Sequence, residues 1–354
     1  MKIIRRRLVL LLMTLLLGRV VAAQSLYQVT VPLADRGGIA TEQAIGEALQ
    51  VLLVRLTGSR AALDNPALIK ATKDAKQYLL QYSYLEQPVG ASAPSLGAQT
   101  LYLDALFQQR QIDALLKGSG EAMLPPNRPS TLAWLMVDTP TGRDLLTPDT
   151  QPALAAELQY LMDQHALTLR FPANDMIDLY RFPPHLIWSL NVDVARAASA
   201  RYGASAILLG RIAQLSDGRW IAQWTNLLDQ QMFEAELETT DPQRLAQQLA
   251  DGSAAAIASR FAIRIDPATA GSTQVAVEGI SSLIDFRLAR VALERLGSVN
   301  RVQLEGVEAN RIRFRLFSEA GEDAVLRELA LVERLTGTEP AVGSVPHFRW
   351  QTER

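Results

Sequence analysis

The side chains with the chemistry to act on a substrate are few and scattered in this sequence. It has no cysteine and only three histidines in 354 residues, which excludes a structural disulfide, a thiolate nucleophile, a zinc ribbon and an iron–sulfur cluster. His165, His185 and His347 stand too far apart for a local metal motif, and no two share a helical face at the i, i+4 spacing. The surrounding residues predict His165 at a helix end, His185 after Pro183-Pro184 and His347 in the tail, each an ordinary surface or capping residue. There is no G-x-S-x-G elbow, no S-x-x-K and no P-loop, and Gly118-Ser119-Gly120 is followed by Met123 where a dinucleotide fingerprint needs its last glycine. No catalytic residue, cofactor or metal site is therefore expected.

Three other groupings could carry a function. Asp175 with Asp178, or Glu234 with Glu236, supply the carboxylate pairs that glycoside hydrolysis uses, but a chain with 37 acidic residues offers such pairs on any solvated face. Trp220 and Trp224 share one strand face with the small Ala222. They would make either a glycan platform or a packing layer beneath the helix from Gln243 to Phe261. Arg301, Arg311, Arg313 and Arg315 fall on the outer face of one hairpin with Gln303 and Glu305. They would make either an anion or partner site, or a polar sheet surface with cross-strand Arg–Glu pairs.

The amino terminus sets an expectation about address. Lys2, Arg5, Arg6 and Arg7 precede a run from Leu8 to Leu17 that is apolar apart from Thr14, and Val21-Ala22-Ala23 places small residues where a signal peptidase reads. Ten residues rise only about 15 Å as a helix, half of a hydrocarbon core. Residues 1–23 are thus expected to be a secretory signal peptide, with an uncleaved inner-membrane anchor as the alternative. The mature chain is expected in the periplasm, with no membrane span after leader removal. It would carry 30 basic against 37 acidic side chains, so general nucleic-acid binding, which needs concentrated positive charge, is not expected.

The elements that must position these residues fall into three segments, a mixture of α/β and α+β. Residues 24–120 read as an N-terminal α+β domain. Ala44, Ile45, Ala48, Leu49, Leu52, Leu53 and Leu56 form one helical face closed by Gly58, Asn65-Pro66 caps a second helix, and Gly90 to Gly97 is a flexible loop. A Pro-rich linker follows. Residues 130–265 read as a middle α/β domain with a mixed sheet: βαβαβ from the apolar strand at Leu132 to Val137, then antiparallel strands after the Asp217-Gly218 turn and a helix. Residues 273–335 read as a βαββα sandwich. Within it Ile312, Phe314 and Leu316 face the helices and the arginines face away. Residues 336–354, with Gly337, Pro340, Gly343 and Pro346, are expected to be an irregular tail.

Several runs carry a family resemblance: Ala44-Ile45 through Val54-Arg55-Leu56-Thr57-Gly58, Arg201-Tyr202-Gly203-Ala204 leading to Ile207-Leu208-Leu209-Gly210-Arg211, and Gly218-Arg219-Trp220. With the leader, they resemble an exported proteobacterial family known only as domain of unknown function 2066. Its motifs are packing and turn residues, so the resemblance implies membership without a mechanism. The element order of the middle segment is also similar to the α/β domain of the Tol-system propeller protein and of outer-membrane lipoprotein activators of peptidoglycan synthases. This chain lacks the cysteine that anchors those activators. The combined expectation is a non-enzymatic periplasmic interaction or scaffold module that meets other envelope proteins. A glycan-binding or glycan-cleaving protein using Trp220, Trp224 and nearby carboxylates is the alternative.

Overall fold

The computed structural model describes residues 26–86, 101–265, 267–308, 310–338 and 345–351. The leader expected at residues 1–23 and the loop expected from Gly90 to Gly97 lie outside the described residues. Helices and three separate sheets, one antiparallel and two mixed, make an α+β architecture in three successive units.

The first unit runs β1 (Gln28–Pro32), α1 (Gly38–Thr57), α2 (Pro66–Lys73), β2 (Leu79–Leu85), β3 (Tyr102–Phe107) and α3 (Gln109–Ser119), with sheet order β1-β3-β2. The apolar face of α1 buries all seven residues that define its period. Gly58 ends it at φ 72°, and a Cβ there would stand 2.7 Å from both Ala258 and Leu124. Only glycine meets both demands. The side chain of Asn65 caps α2 by accepting from Ala67 N, but the helix stops at Lys73, short of the expected Leu80, and a single 3₁₀ turn leads into β2.

The second unit runs β4 (Thr131–Thr139), β5 (Gly142–Leu145), α4 (Pro152–Gln164), β6 (Leu169–Arg170), α5 (Met176–Arg181), α6 (Pro184–Trp188), α7 (Val192–Ser199), β7 (Ala206–Gln214), β8 (Trp220–Leu228), β9 (Gln231–Thr239) and α8 (Pro242–Phe261). As the pattern predicts, β4 pairs parallel with β6 and β7, and β7, β8 and β9 then run antiparallel. Alternate residues of β4 feed two cores. Ala133, Leu135 and Val137 pack with α4 and α8, while Leu132, Trp134 and Met136 pack with α6 and α7. The sequence reading has no counterpart for the β4–β5 hairpin or for the short helices α5 and α6.

The third unit runs β10 (Gly271–Glu278), α9 (Leu283–Glu294), β11 (Val299–Glu308), β12 (Arg311–Ser318), α10 (Glu322–Leu329), β13 (Leu335–Thr338) and β14 (His347–Trp350). Its first five elements follow the expected βαββα order, while the sheet order β11-β12-β10-β14-β13 corrects the expected irregular tail. The tail supplies two strands. β14 adds parallel to β10 and buries Phe348 and Trp350 in the unit's core. Without it β10, whose Val275 and Val277 are fully buried, would be an open edge.

The linker between the first two units is stitched to both. Leu124 N donates to Leu56 O at 2.6 Å, and Met123 and Ile263 exchange backbone bonds of 2.8 and 2.7 Å. The deepest link is Arg55, 3% exposed in the last turn of α1. Tyr27 O accepts from Phe107 N of β3, so by antiparallel alternation the carbonyls of Leu26 and Gln28 point off the open edge of β1. Arg55 Nη1 donates to both, at 3.2 and 2.6 Å, and its Nε donates to Gln164 O at the end of α4, at 2.6 Å. One guanidinium therefore seals a sheet edge and a helix C-terminus. Burial pushes its pKa down to about 10, and Asp163 partly opposes that shift. Arg55→Met would leave three carbonyls without this donor, so equilibrium urea denaturation is expected to show a loss of about 3 kcal/mol or more.

Candidate functional site

The arginine hairpin and the tryptophan pair are both assembled as the sequence implies and then used up in structure. Along β12, Ile312, Phe314 and Leu316 are buried and the arginines turn away. Arg311 Nε donates to Glu278 at 2.9 Å, Arg313 pairs with Glu308 at 2.7 Å, and Arg315 pairs with Glu305. Arg301 stacks on the Phe317 ring, 3.9 Å from its centroid. Three of the four charges thus have a carboxylate partner, and Arg301 has an aromatic ring instead, with no ion pair among the described residues. Trp224 is 3% exposed in the core beneath α8, where the absent side chain of Gly252 leaves room for the indole, and Trp220 is half-buried against the same cluster. Of the two readings, Trp224 takes the packing layer beneath the helix and not the glycan platform, because α8 covers its ring.

Asp175 and Asp178 form a clamp. Arg201 binds Asp175 through two parallel 2.9 Å bonds and Asp178 through a third. Asp178 is 2% exposed and also accepts from Tyr202 and, at 3.0 Å, from Asn174 N. Hydrogen bonding to Arg201 holds the Asp175 carboxyl well below the usual carboxylate range, the opposite of what a general acid needs. His165 does follow the end of α4, but it is buried rather than on the surface. Its Nε2 lies 2.8 Å from Asp251, which also accepts from Arg60 at 2.6 Å and Gln247 at 2.9 Å. His185 is exposed, and His347 sits in β14. Among the described residues no cluster of His, Asp or Glu could hold a metal ion, and no helix is long and apolar enough to cross a membrane.

The remaining carboxylate pair leads to open surface. In β9, Glu234, Glu236 and Glu238 alternate with Phe233, Ala235 and Leu237, so the three acids share one face. Helices α4 and α8 cover one face of the middle sheet. On the other face α6 and α7 stop over β4, β7 and the end of β8 near Leu227. The uncovered part is a shallow cavity of about 560 Å³ over β7, β8 and β9, walled by Trp188. Arg211, Gln223 and Glu236 run across three strands in register, with Arg211 Nη2 donating to Gln223 at 2.8 Å. Ile221 and Met232 are 42% and 53% exposed on this face. Arg143 lies 3.8 Å from the centroid of the Trp188 ring. β9 ends the sheet, and among the described residues no strand pairs with its outer edge. The two-residue turn at Asp229-Gln230 pairs Leu228 with Gln231, which directs the backbone groups of Met232, Glu234, Glu236 and Glu238 outward. Sequence reasoning found the Glu234–Glu236 pair but missed Trp188, Arg143 and Arg211, because each belongs to a different element and no spacing links them.

Comparison with known proteins adds a limited frame. A family model described as a domain of unknown function (DUF8605) matches residues 21–125, which span the first unit. The match is to an uncharacterised domain, as the sequence motifs suggested, but it is not to domain of unknown function 2066. No curated protein matches the chain. The LpoB C-terminal domain from Salmonella enterica is similar at 15% identity and a TM-score of 0.23, over 38% of this chain and 95% of that one. The crystal structure of an uncharacterized protein is similar at 11% identity and a TM-score of 0.16, over 38% of this chain and 92% of that one.

Two outcomes test the structural roles assigned above. Trp224→Ala is expected to lower stability by about 3 to 5 kcal/mol in chemical denaturation, as removal of a fully packed core ring does. The second concerns Asp251. Burial pushes its carboxyl up, but hydrogen bonds from His165 and Arg60 outweigh burial and hold it below the usual carboxylate range. A group so depressed stabilises the fold above its unfolded pKa, about 4, and loses that contribution as pH falls through the folded value. Asp251→Asn is expected to lower stability at neutral pH and to flatten its decline below about pH 4, read by circular dichroism during acid titration.

Proposed function

We propose that this chain is a non-enzymatic interaction module of the cell envelope, exported by its N-terminal leader, and that it takes up an extended basic segment of a partner protein along β9. The carrying observation is that outer edge: nine residues long, without a strand partner among the described residues, and beside an uncovered sheet face. Outward-pointing backbone groups offer main-chain hydrogen bonds to an added strand, and side-chain pockets beside them give such contacts their selectivity. The row of Glu234, Glu236 and Glu238 sets the sign of the partner. Among the described residues only Glu238 of the three has an ion pair, with Arg219, so two carboxylates are left to meet Lys or Arg at alternate positions of the incoming segment. The same acids deter two copies of β9 from pairing with each other.

The non-enzymatic reading is supported by how the polar groups are used. The candidate acids at Asp175 and Asp178 are locked to Arg201, and His165 is locked to Asp251. The lining of the open shelf supplies no nucleophile with an adjacent base. The burial of Trp224 removes the observation that favoured glycan binding.

Site-specific photocrosslinking in intact cells tests the proposal. A crosslinker at Met232 is expected to give a discrete protein adduct that a crosslinker at Leu80, exposed on β2 of the first unit, does not give. The double change Glu234→Lys with Glu236→Lys is expected to abolish the Met232 adduct while leaving the circular dichroism spectrum unchanged. Adducts of equal yield from both positions, or an adduct indifferent to charge reversal, would overturn the reading.

A further inference from the structure

A second cavity, of about 340 Å³, lies where the linker, the middle unit and the third unit meet. Its polar lining comes from all three: Asn127 and Arg128 of the linker, Thr168 from the loop after α4, Arg295 at the end of α9, and Glu333 and Arg334 after α10. Three guanidinium groups thus face one carboxylate. Arg334 is already engaged, over the Trp350 ring among other contacts. Arg295 is exposed, and its guanidinium makes no ion pair among the described residues.

Arg128 gives this imbalance its physical edge. Its Nε donates to Pro125 O at 3.1 Å and its Nη1 to His165 O, while Nη2 is buried with no acceptor. Burial, and then repulsion from Arg55, push its pKa down to about 9. The C-terminus of α4, which both arginines engage, offers only about half an elementary charge. Asp163 bears on Arg55. Arg128 makes no ion pair among the described residues, so its buried Nη2 stands at the edge of an open cavity without a counter-charge. Such a charge is costly until an anion arrives.

We infer that this cleft binds a small multivalent oxyanion, of phosphate or carboxylate type, held by Arg295 and Arg334 and supplying the charge that Arg128 lacks. Guanidinium groups suit this ligand because their parallel N–H donors match the oxygens of both anion types. A bound anion would touch the second and third units together and so hold them against one another. This site is separate from the β9 edge, and its test does not involve a protein partner.

Calorimetric titration of the full chain at low ionic strength, with inorganic pyrophosphate and with citrate as the two probes, decides the matter. Saturable one-to-one binding of at least one probe is expected. Arg295→Ala is expected to weaken it about tenfold or more, which corresponds to the loss of a charge-assisted contact worth about 1.4 kcal/mol. Pyrophosphate alone binding would identify phosphate ligands, and citrate alone would identify carboxylates. Because Arg295 is exposed, its removal should leave the fold intact. Arg334→Gln provides a second variant, and circular dichroism checks both. Absence of saturable binding at millimolar concentrations of either probe, or binding that is equally strong in both variants, would overturn the inference.

Discussion

A guanidinium out of water must find acceptors, and a sheet edge or helix end out of water must find donors. Arg55 satisfies both requirements at once. Its position in the last turn of α1 lets it reach the outward carbonyls of Leu26 and Gln28 beside it and the last carbonyl of α4 across the junction, so the first unit cannot leave the second without taking the donor away from Gln164 O. The adjacent close approach at Gly58, the bridge between Met123 and Ile263, and the triad of His165, Asp251 and Arg60 all lie along the same seam. The junction is polar at its centre and apolar around it, which specifies one relative placement where apolar packing alone would tolerate sliding.

That fixed junction shapes what is left exposed. With α4 and α8 covering one face of the middle sheet, the second face depends on the short helices of the connection between β6 and β7. These reach only part of the way across. The clamp of Asp175, Asp178, Arg201 and Tyr202 holds α5 beside that partial cover. The uncovered strip over β8 and β9 is therefore a product of the connection's length and the clamp's position. It is lined by residues suited to contact rather than reaction. The third unit manages its surface differently. Its arginines are neutralised across strands by Glu278, Glu305 and Glu308, and its tail closes the edge of β10.

Much of this architecture is visible in the chain wherever the determining interaction is local. The buried period of α1, the Asn65-Pro66 start of α2, the apolar run of β4, the turn at Asp217-Gly218 and the alternation along β12 each follow from residues a few positions apart. Strand β14 was missed because its pairing with β10 joins residues distant in sequence, and four residues directly after Pro346 show too little period to announce a strand. The candidate groupings were legible as groupings but not as sites. Alternation put the arginines of β12 on one face, yet only the register with Glu305 and Glu308 on β11 and Glu278 on β10 showed them to be paired.

By itself, then, the sequence determined the composition that rules out thiolate, disulfide and zinc-finger chemistry, the three-part order of elements, and the inward and outward faces of its regular strands and helices. The tertiary structure alone decided which groups are spent and, among the described residues, which are left over: Trp224 under α8, His165 against Asp251, the outer edge of β9 without a strand partner, and Arg128 Nη2 without an acceptor. The physical reason is range. Periodicity and capping act over a few residues and are written in neighbours, whereas desolvation and charge balance depend on what the folded chain brings together from far apart.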